Sequence, residues 1–97
     1  LVALGDPTRL AIFERLTESP LAVVDLAKYV PVSRPAVSQH LRVLKDAGLV
    51  TDQAVGNRRI YRVDPDGVAA LRDQIDRFWG KALAAYKSAI DETSQEE

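Results

Sequence analysis

The chain has 97 residues, 46% of them apolar and 28% charged, a net charge of −1 and no cysteine. That is the make-up of one globular domain with a modest core, and it excludes disulfides and thiolate metal sites. A reducing cytosol suits the composition. No run approaches the roughly 20 apolar residues that span a bilayer, so no membrane partner is expected. No signal-peptide pattern opens the chain, and it begins on Leu1 rather than Met, which leaves room for residues ahead of it.

Leu1 to Leu4 are apolar and open or precede a helix. Gly5 and then Asp6-Pro7 form a start signal, with Asp6 as N-cap and Pro7 at the first helical position. Leu10, Ile12, Phe13 and Leu16 supply the buried face of a helix running to about Leu16, and Ser19-Pro20 ends it. Thr8 and Arg9 lie in its first turn, where free N–H groups and the helix dipole favour an anion. A phosphate contact there competes with a local side-chain bond or a surface ion pair.

Leu21 to Tyr29 reads as a short helix with Leu21, Val24, Leu26 and Ala27 facing inward. Val30-Pro31-Val32 is the turn, because Pro31 pushes Val30 out of helical space. Ser33 can cap the next helix, and Pro35 sits in its first turn, where a missing N–H costs nothing. Ala36, Val37, Leu41, Val43 and Leu44 recur at helical spacing and give one apolar face. Gly48 can adopt the left-handed conformation that closes a helix. The other face carries Arg34, Ser38, Gln39, Arg42 and Lys45, with His40 near its edge, all able to donate to phosphates or base edges. Two short helices joined by a tight turn, the second rich in donors, make a helix-turn-helix.

Leu49–Gln53 and Arg59–Val63 then read as strands, and Val55-Gly56-Asn57-Arg58 supplies the turn between them. A hairpin directly after this helix pair, with Asn57, Arg58 and Arg59 at a mobile tip, is a wing that reaches the flanking backbone or minor groove. A basic solvent-exposed turn is the plainer alternative. Residues 33–62 hold six Lys/Arg against two acids, a local charge of +4 on a chain whose total is −1. Such a patch can attract DNA because the field at the contact face governs the encounter.

Asp64-Pro65 repeats the start signal and opens a last helix through roughly Ile90. It bears Val68, Leu71, Ile75, Phe78, Trp79, Ala82, Leu83, Tyr86 and Ile90. Large aromatics beside small residues suit close helix packing across a dimer, and the stripe is expected both to do this and to fold back over the first helix. Leu1, Leu4, Leu71, Ile75, Phe78, Trp79, Ala82, Leu83 and Tyr86 are the expected partner surface. Asp91 to Glu97 form a polar, frayed tail. The fold expected is mainly α with a small β-hairpin wing, a winged helix-turn-helix in one domain spanning residues 1–97.

The segments ALGDPTRLAIFERL, VSRPAVSQHLRVLKDAGLV and GNRRIYRVD together resemble the ArsR-type winged helix-turn-helix repressors of bacteria, over about residues 3–90. The resemblance implies a cytoplasmic, dimeric transcription regulator, nucleoid-associated when bound and often repressing its own operon. Its partner would be a double-stranded operator with an imperfect palindrome, and its two reading helices would lie about 34 Å apart. It places Ser33, Arg34, Ser38, Gln39, His40 and Arg42 on the reading helix and Asn57, Arg58 and Arg59 on the wing. The sequence departs from metal-sensing members. Where they carry a Cys-x-Cys pair before an Asp-Leu, this chain has Ala22-Val23-Val24-Asp25-Leu26. Its last helix has Asp73 and Asp76 but no histidine. A lone His40 cannot hold a transition metal, so a non-metal branch with no cofactor and an unassigned effector is expected. Ser38 and His40, two apart on one helix, face differently and form no catalytic pair. A winged-helix module that docks protein in place of DNA is the remaining alternative, and the donor-rich face argues against it.

Overall fold

The computed structural model describes residues 2–96, with side chains through Thr93; Leu1, expected at the partner surface, lies outside the described residues, as does Glu97. A 3-10 turn at Val2–Leu4 leads into α1 (Pro7–Glu18), β1 (Leu21–Ala22), α2 (Val23–Leu26), α3 (Arg34–Asp46), β2 (Val50–Val55), β3 (Arg58–Val63) and α4 (Pro65–Glu96).

The helix starts form as the capping residues dictate. The Asp6 carboxylate accepts from the Arg9 N–H at 3.0 Å, and the Ser33 hydroxyl accepts from the Ala36 N–H at 3.3 Å. Asp64 accepts from the Asp66 N–H at 3.0 Å. Each satisfies a donor that the helix itself leaves unpaired. At the far end of α3, Gly48 takes φ +78°. Its N–H donates to the Lys45 carbonyl at 2.9 Å, and the Leu49 N–H donates to the Leu44 carbonyl at 3.0 Å. These two bonds close the helix as a Schellman motif, and buried Leu44 and Leu49 supply the apolar contact that accompanies it.

Ile12, Phe13 and Leu16 of α1, Leu26 of α2, and Val37, Leu41 and Leu44 of α3 form one core with Leu49 and Val50. Leu10, assigned to the buried face from its sequence, is exposed, because it lies round the helix from the row of Ile12, Phe13 and Leu16. The helix expected over 21–29 is shorter. Leu21 and Ala22 form an edge strand paired antiparallel with Tyr61 and Ile60, and only Val23–Leu26 is helical. The sheet order is therefore β1-β3-β2. The hairpin is longer than expected, pairing Val50 with Val63 at its base and Val55 with Arg58 at its tip. Gly56 has φ +63° while no other turn residue has positive φ, as in the type II′ turn that suits strand twist.

α4 runs 32 residues, through the segment expected to fray. Only its first turns rest on the body, where Val68 and Leu71 pack against the core. Gly67 permits that approach: a Cβ placed on it would overlap the Gly48 carbonyl oxygen and lie 2.8 Å from the carbonyl carbon. The end of α3 thus abuts the start of α4. Beyond this point α4 projects into solvent, and the molecule measures 69 × 27 × 20 Å. The stripe does not fold back over α1: Phe78, Trp79, Leu83 and Tyr86 are 57–67% exposed. Phe78 and Trp79 meet edge to face, with centroids 5.8 Å apart. No helix of the described residues is long and apolar enough to cross a membrane.

Candidate nucleic-acid interface

The face of α3 opposite the core residues Val37, Leu41 and Leu44 carries Arg34, Pro35, Ser38, Gln39, Arg42 and Lys45, all exposed, with Ser33 exposed at its cap. The segregation follows from helix periodicity: three buried aliphatics at spacings of four and three fix the rotation of the helix and turn the polar row outward. The hairpin stands beside this row. Arg34 borders a hollow of about 150 Å³ with Asn57, Arg58 and Arg59, and Arg59 also borders a second of about 460 Å³ with Ser38, Arg42 and Lys45. Arg59 therefore lines both hollows, and α3 and the wing frame a groove whose cations stand beside Asp46 and Asp52.

The cations are not all free. The Asp52 carboxylate accepts from Lys45 Nζ through one oxygen and from an Arg59 guanidinium nitrogen through the other, each at 2.8 Å. The Asp52 side chain is 8% exposed. The hydrogen bond from Lys45 is the main cause holding its carboxyl below the usual carboxylate range, against the opposing cost of burial, and Arg59 adds to it. Arg58 donates to Asp25 of α2 at 3.0 Å. The two arginines expected on a mobile tip are thus in the first rungs of β3, Arg58 tied back to α2 and Arg59 tied across the hairpin to β2. Gly56-Asn57 alone forms the tip. Arg34, Arg42 and Arg62 form no ion pair among the described residues.

The residues near the start of α1 are placed differently. Arg9 turns inward, its guanidinium donating to the Ala3 carbonyl at 3.3 Å. Thr8 is half-buried, and so is His40, which leans from α3 toward α1. Asp6 titrates below the usual carboxylate range chiefly because the Arg9 N–H bonds it, with His40 a smaller electrostatic contributor. Arg9 Nε and His40 Nδ1 are buried without a hydrogen-bond partner. Thr8, Arg9 and His40 therefore stand apart from the α3–wing groove.

Sequence reasoning passed over Asp52 and Asp25. Asp52 enters the sequence reading only as one of two acids among the cations, and Asp25 only within the segment compared with metal-sensing members; the Arg58–Asp25 pair spans 33 residues, and the Arg59–Asp52 pair depends on hairpin register. The one available signal was the placement of Asp52 inside a segment otherwise dominated by cations. Ala22 and Val24, where metal-sensing proteins of the resembled type carry sulfur, are apolar and offer no ligand. No group of three or more His, Cys, Asp or Glu side chains is placed to hold a metal among the described residues.

Comparison with known proteins agrees with this geometry. Residues 6–52 match the family model described as bacterial regulatory protein, arsR family. The chain is 61% identical over 89 residues to the HTH-type transcriptional regulator Rv2034 of Mycobacterium tuberculosis, a span covering 92% of this chain and 83% of that protein. It is similar to the crystal structure of a possible transcriptional regulator for arsenical resistance. The TM-score is 0.77 at 48% identity, over 81% of this chain and 82% of the other. It is also similar to Mb0332 of Mycobacterium bovis, a homodimeric winged helix-turn-helix DNA-binding domain seen in solution. There the TM-score is 0.66 at 29% identity, over 84% of this chain and 76% of that domain.

Proposed function

The chain belongs to the arsR family of bacterial regulatory proteins, and from that premise we propose that it works as a homodimeric repressor that reads an imperfect palindrome. α3 enters the major groove and the wing rests on the flanking DNA. The observation that carries this reading is the exposed row Arg34, Ser38, Gln39 and Arg42, held outward by a buried aliphatic row and flanked by the wing. Gln39 has the donor–acceptor pair that matches adenine, and Arg34 and Arg42 have the fork that matches guanine. Each good bidentate pair contributes about 1–3 kcal/mol of discrimination. Ser33 and Ser38 carry hydroxyls that can donate to a phosphate, and Pro35 lies between them on the same exposed face. Lys45, Asn57, Arg58 and Arg59 act on the backbone, adding affinity more than selectivity. Thr8, Arg9 and His40 lie away from that row, Arg9 being bonded to the Ala3 carbonyl.

The dimer follows from the shape. A compact chain of this length has a radius of gyration of about 12–13 Å, whereas this protein has 18.6 Å. The excess is α4, whose exposed Phe78, Trp79, Leu83 and Tyr86 form an apolar stripe of the kind that marks an interaction surface. Ile75 and Ala82 lie half-buried along it, and Leu4 and Leu71 are half-buried at its base, where they also pack on the core. We assign the stripe to a second copy of this chain, which brings two α3 helices to one face. The protein is placed in the bacterial cytoplasm with its DNA, has no enzymatic activity, and represses by occupying its operator. The test is titration into a labelled duplex carrying its own upstream region, against a scrambled duplex. Preference for the first, lost in Arg42→Ala, supports the reading. Equal and feeble binding to both overturns it in favour of a protein-docking module.

A further inference from the structure

Asp52 is an acid where a DNA-binding surface would be expected to carry none. Its backbone is fixed in β2 opposite Tyr61, so Asp52, Tyr61 and, two residues earlier on β3, Arg59 share one face of the sheet. Its carboxylate spends both oxygens on bonds of 2.8 Å, one to the reading helix at Lys45 and one to the wing at Arg59. The carboxylate itself is 8% exposed while the Lys45 and Arg59 side chains are half-exposed, and charge-assisted bonds of this length are the strong ones. No other side chain among the described residues bridges α3 and the wing by ion pairs to both.

We propose that Asp52 is a positioning residue that sets specificity: it fixes the wing against the reading helix and withholds Lys45 and Arg59 from indiscriminate phosphate contact. Any duplex offers phosphates. Capturing these two cations requires displacing a carboxylate already bonded to both, and that carboxylate also repels the backbone. Generic DNA gains little in exchange. An operator gains the base contacts of Gln39, Arg34 and Arg42 and tolerates the cost. Specificity is thereby raised by weakening the wrong complex, a recognised route to discrimination. The inference rests on the α3–wing reading of the interface.

The experiment is binding of the full chain to operator and scrambled duplexes over 50–200 mM salt, for wild type and Asp52→Asn. The substitution keeps the shape and removes the charge. Freeing one or two cations steepens the log–log salt slope on scrambled duplex by about 1 to 2. Each added contact contributes a factor of about 3.5 to the affinity lost across that range. The operator-to-scrambled ratio falls at low salt. Lys45→Gln/Asp52→Asn, with one cation fewer to release, gives an intermediate slope, and Asp52→Glu restores the wild-type slope. Asp52→Ser carries the same prediction as Asp52→Asn, each checked for native circular dichroism. An unchanged slope and ratio overturns the proposal, and so does uniform weakening on both duplexes at constant slope. If neither substituted chain folds, Asp52 is a folding residue and the proposal is likewise overturned. A wild-type chain with no operator preference removes the underlying reading, whereas wild-type preference with an unmoved Asp52→Asn slope removes only the role of Asp52.

Discussion

Replacing Gly67 with alanine should destabilise the protein, against the usual expectation for a helical glycine. Gly67 is the third residue of α4, and alanine in a helix interior is favoured over glycine by up to about 1 kcal/mol. Here the added Cβ would overlap the Gly48 carbonyl oxygen, and its 2.8 Å separation from the carbonyl carbon is itself closer than real Cβ contacts come. Neither group can swing aside. Gly48 is held by the Schellman bond to the Lys45 carbonyl, and Gly67 lies one residue before Val68 and four before Leu71, both packed on the core. The start of α4 has to retreat, and those two side chains lose contact. Overpacking of this kind costs about 1–3 kcal/mol. Because the overlap is with fixed backbone the upper part of that range applies, and after the helix-propensity gain is subtracted the net loss is about 1–2 kcal/mol, a fall in Tm of roughly 5–15 °C for a domain of this size. The assay is thermal unfolding by circular dichroism at one fixed protein concentration, because dimerisation makes Tm concentration-dependent. Gly80→Ala is the internal control. It has open space around its Cβ position, so it should hold or raise Tm. A Gly67→Ala protein with a Tm at or above wild type would refute the packing argument.

Two further outcomes follow from the same geometry. Trp79→Glu or Leu83→Glu should place a charge in the dimer seam. Sedimentation should then show monomer at concentrations where wild type is dimeric, with helical content retained, because neither side chain supports the core. The Asp52 carboxyl titrates below its unfolded value, so its contribution to stability is present above the unfolded pKa of about 3.9. That contribution is lost as pH falls through the lower folded value. Urea unfolding should therefore separate wild type from Asp52→Asn at pH 7, and the gap should narrow as pH falls below the unfolded value; a gap that does not narrow in acid would count against the ion pairs.

Local chemistry made much of this architecture readable. Asp6-Pro7, Ser33 with Pro35, Gly48, and Asp64-Pro65 each act within a turn of their own position, and each set the boundary that its type dictates. The errors fell where distant residues decide. Leu21 and Ala22 have the apolar spacing of a short helix, yet their backbone groups pair with Tyr61 and Ile60, about forty residues on. The arginines of the wing were legible as charge, while their commitment to Asp25 and Asp52 depends on strand register. Leu10 shows the narrower limit of a periodic pattern: beside Ile12, Phe13 and Leu16 its side chain falls just outside the arc that α3 covers.

The central claim is that α3 reads bases and does more than grip phosphates. The most direct test measures binding to a set of operator duplexes, each with one base pair replaced, for wild type and for Gln39→Ala. Wild-type affinity should fall at specific positions by about 1–3 kcal/mol for each mismatch. Gln39→Ala should erase the penalty at one symmetric pair of positions and leave the others standing. Profiles that coincide in shape, with Gln39→Ala weaker throughout, would contradict base reading by this helix.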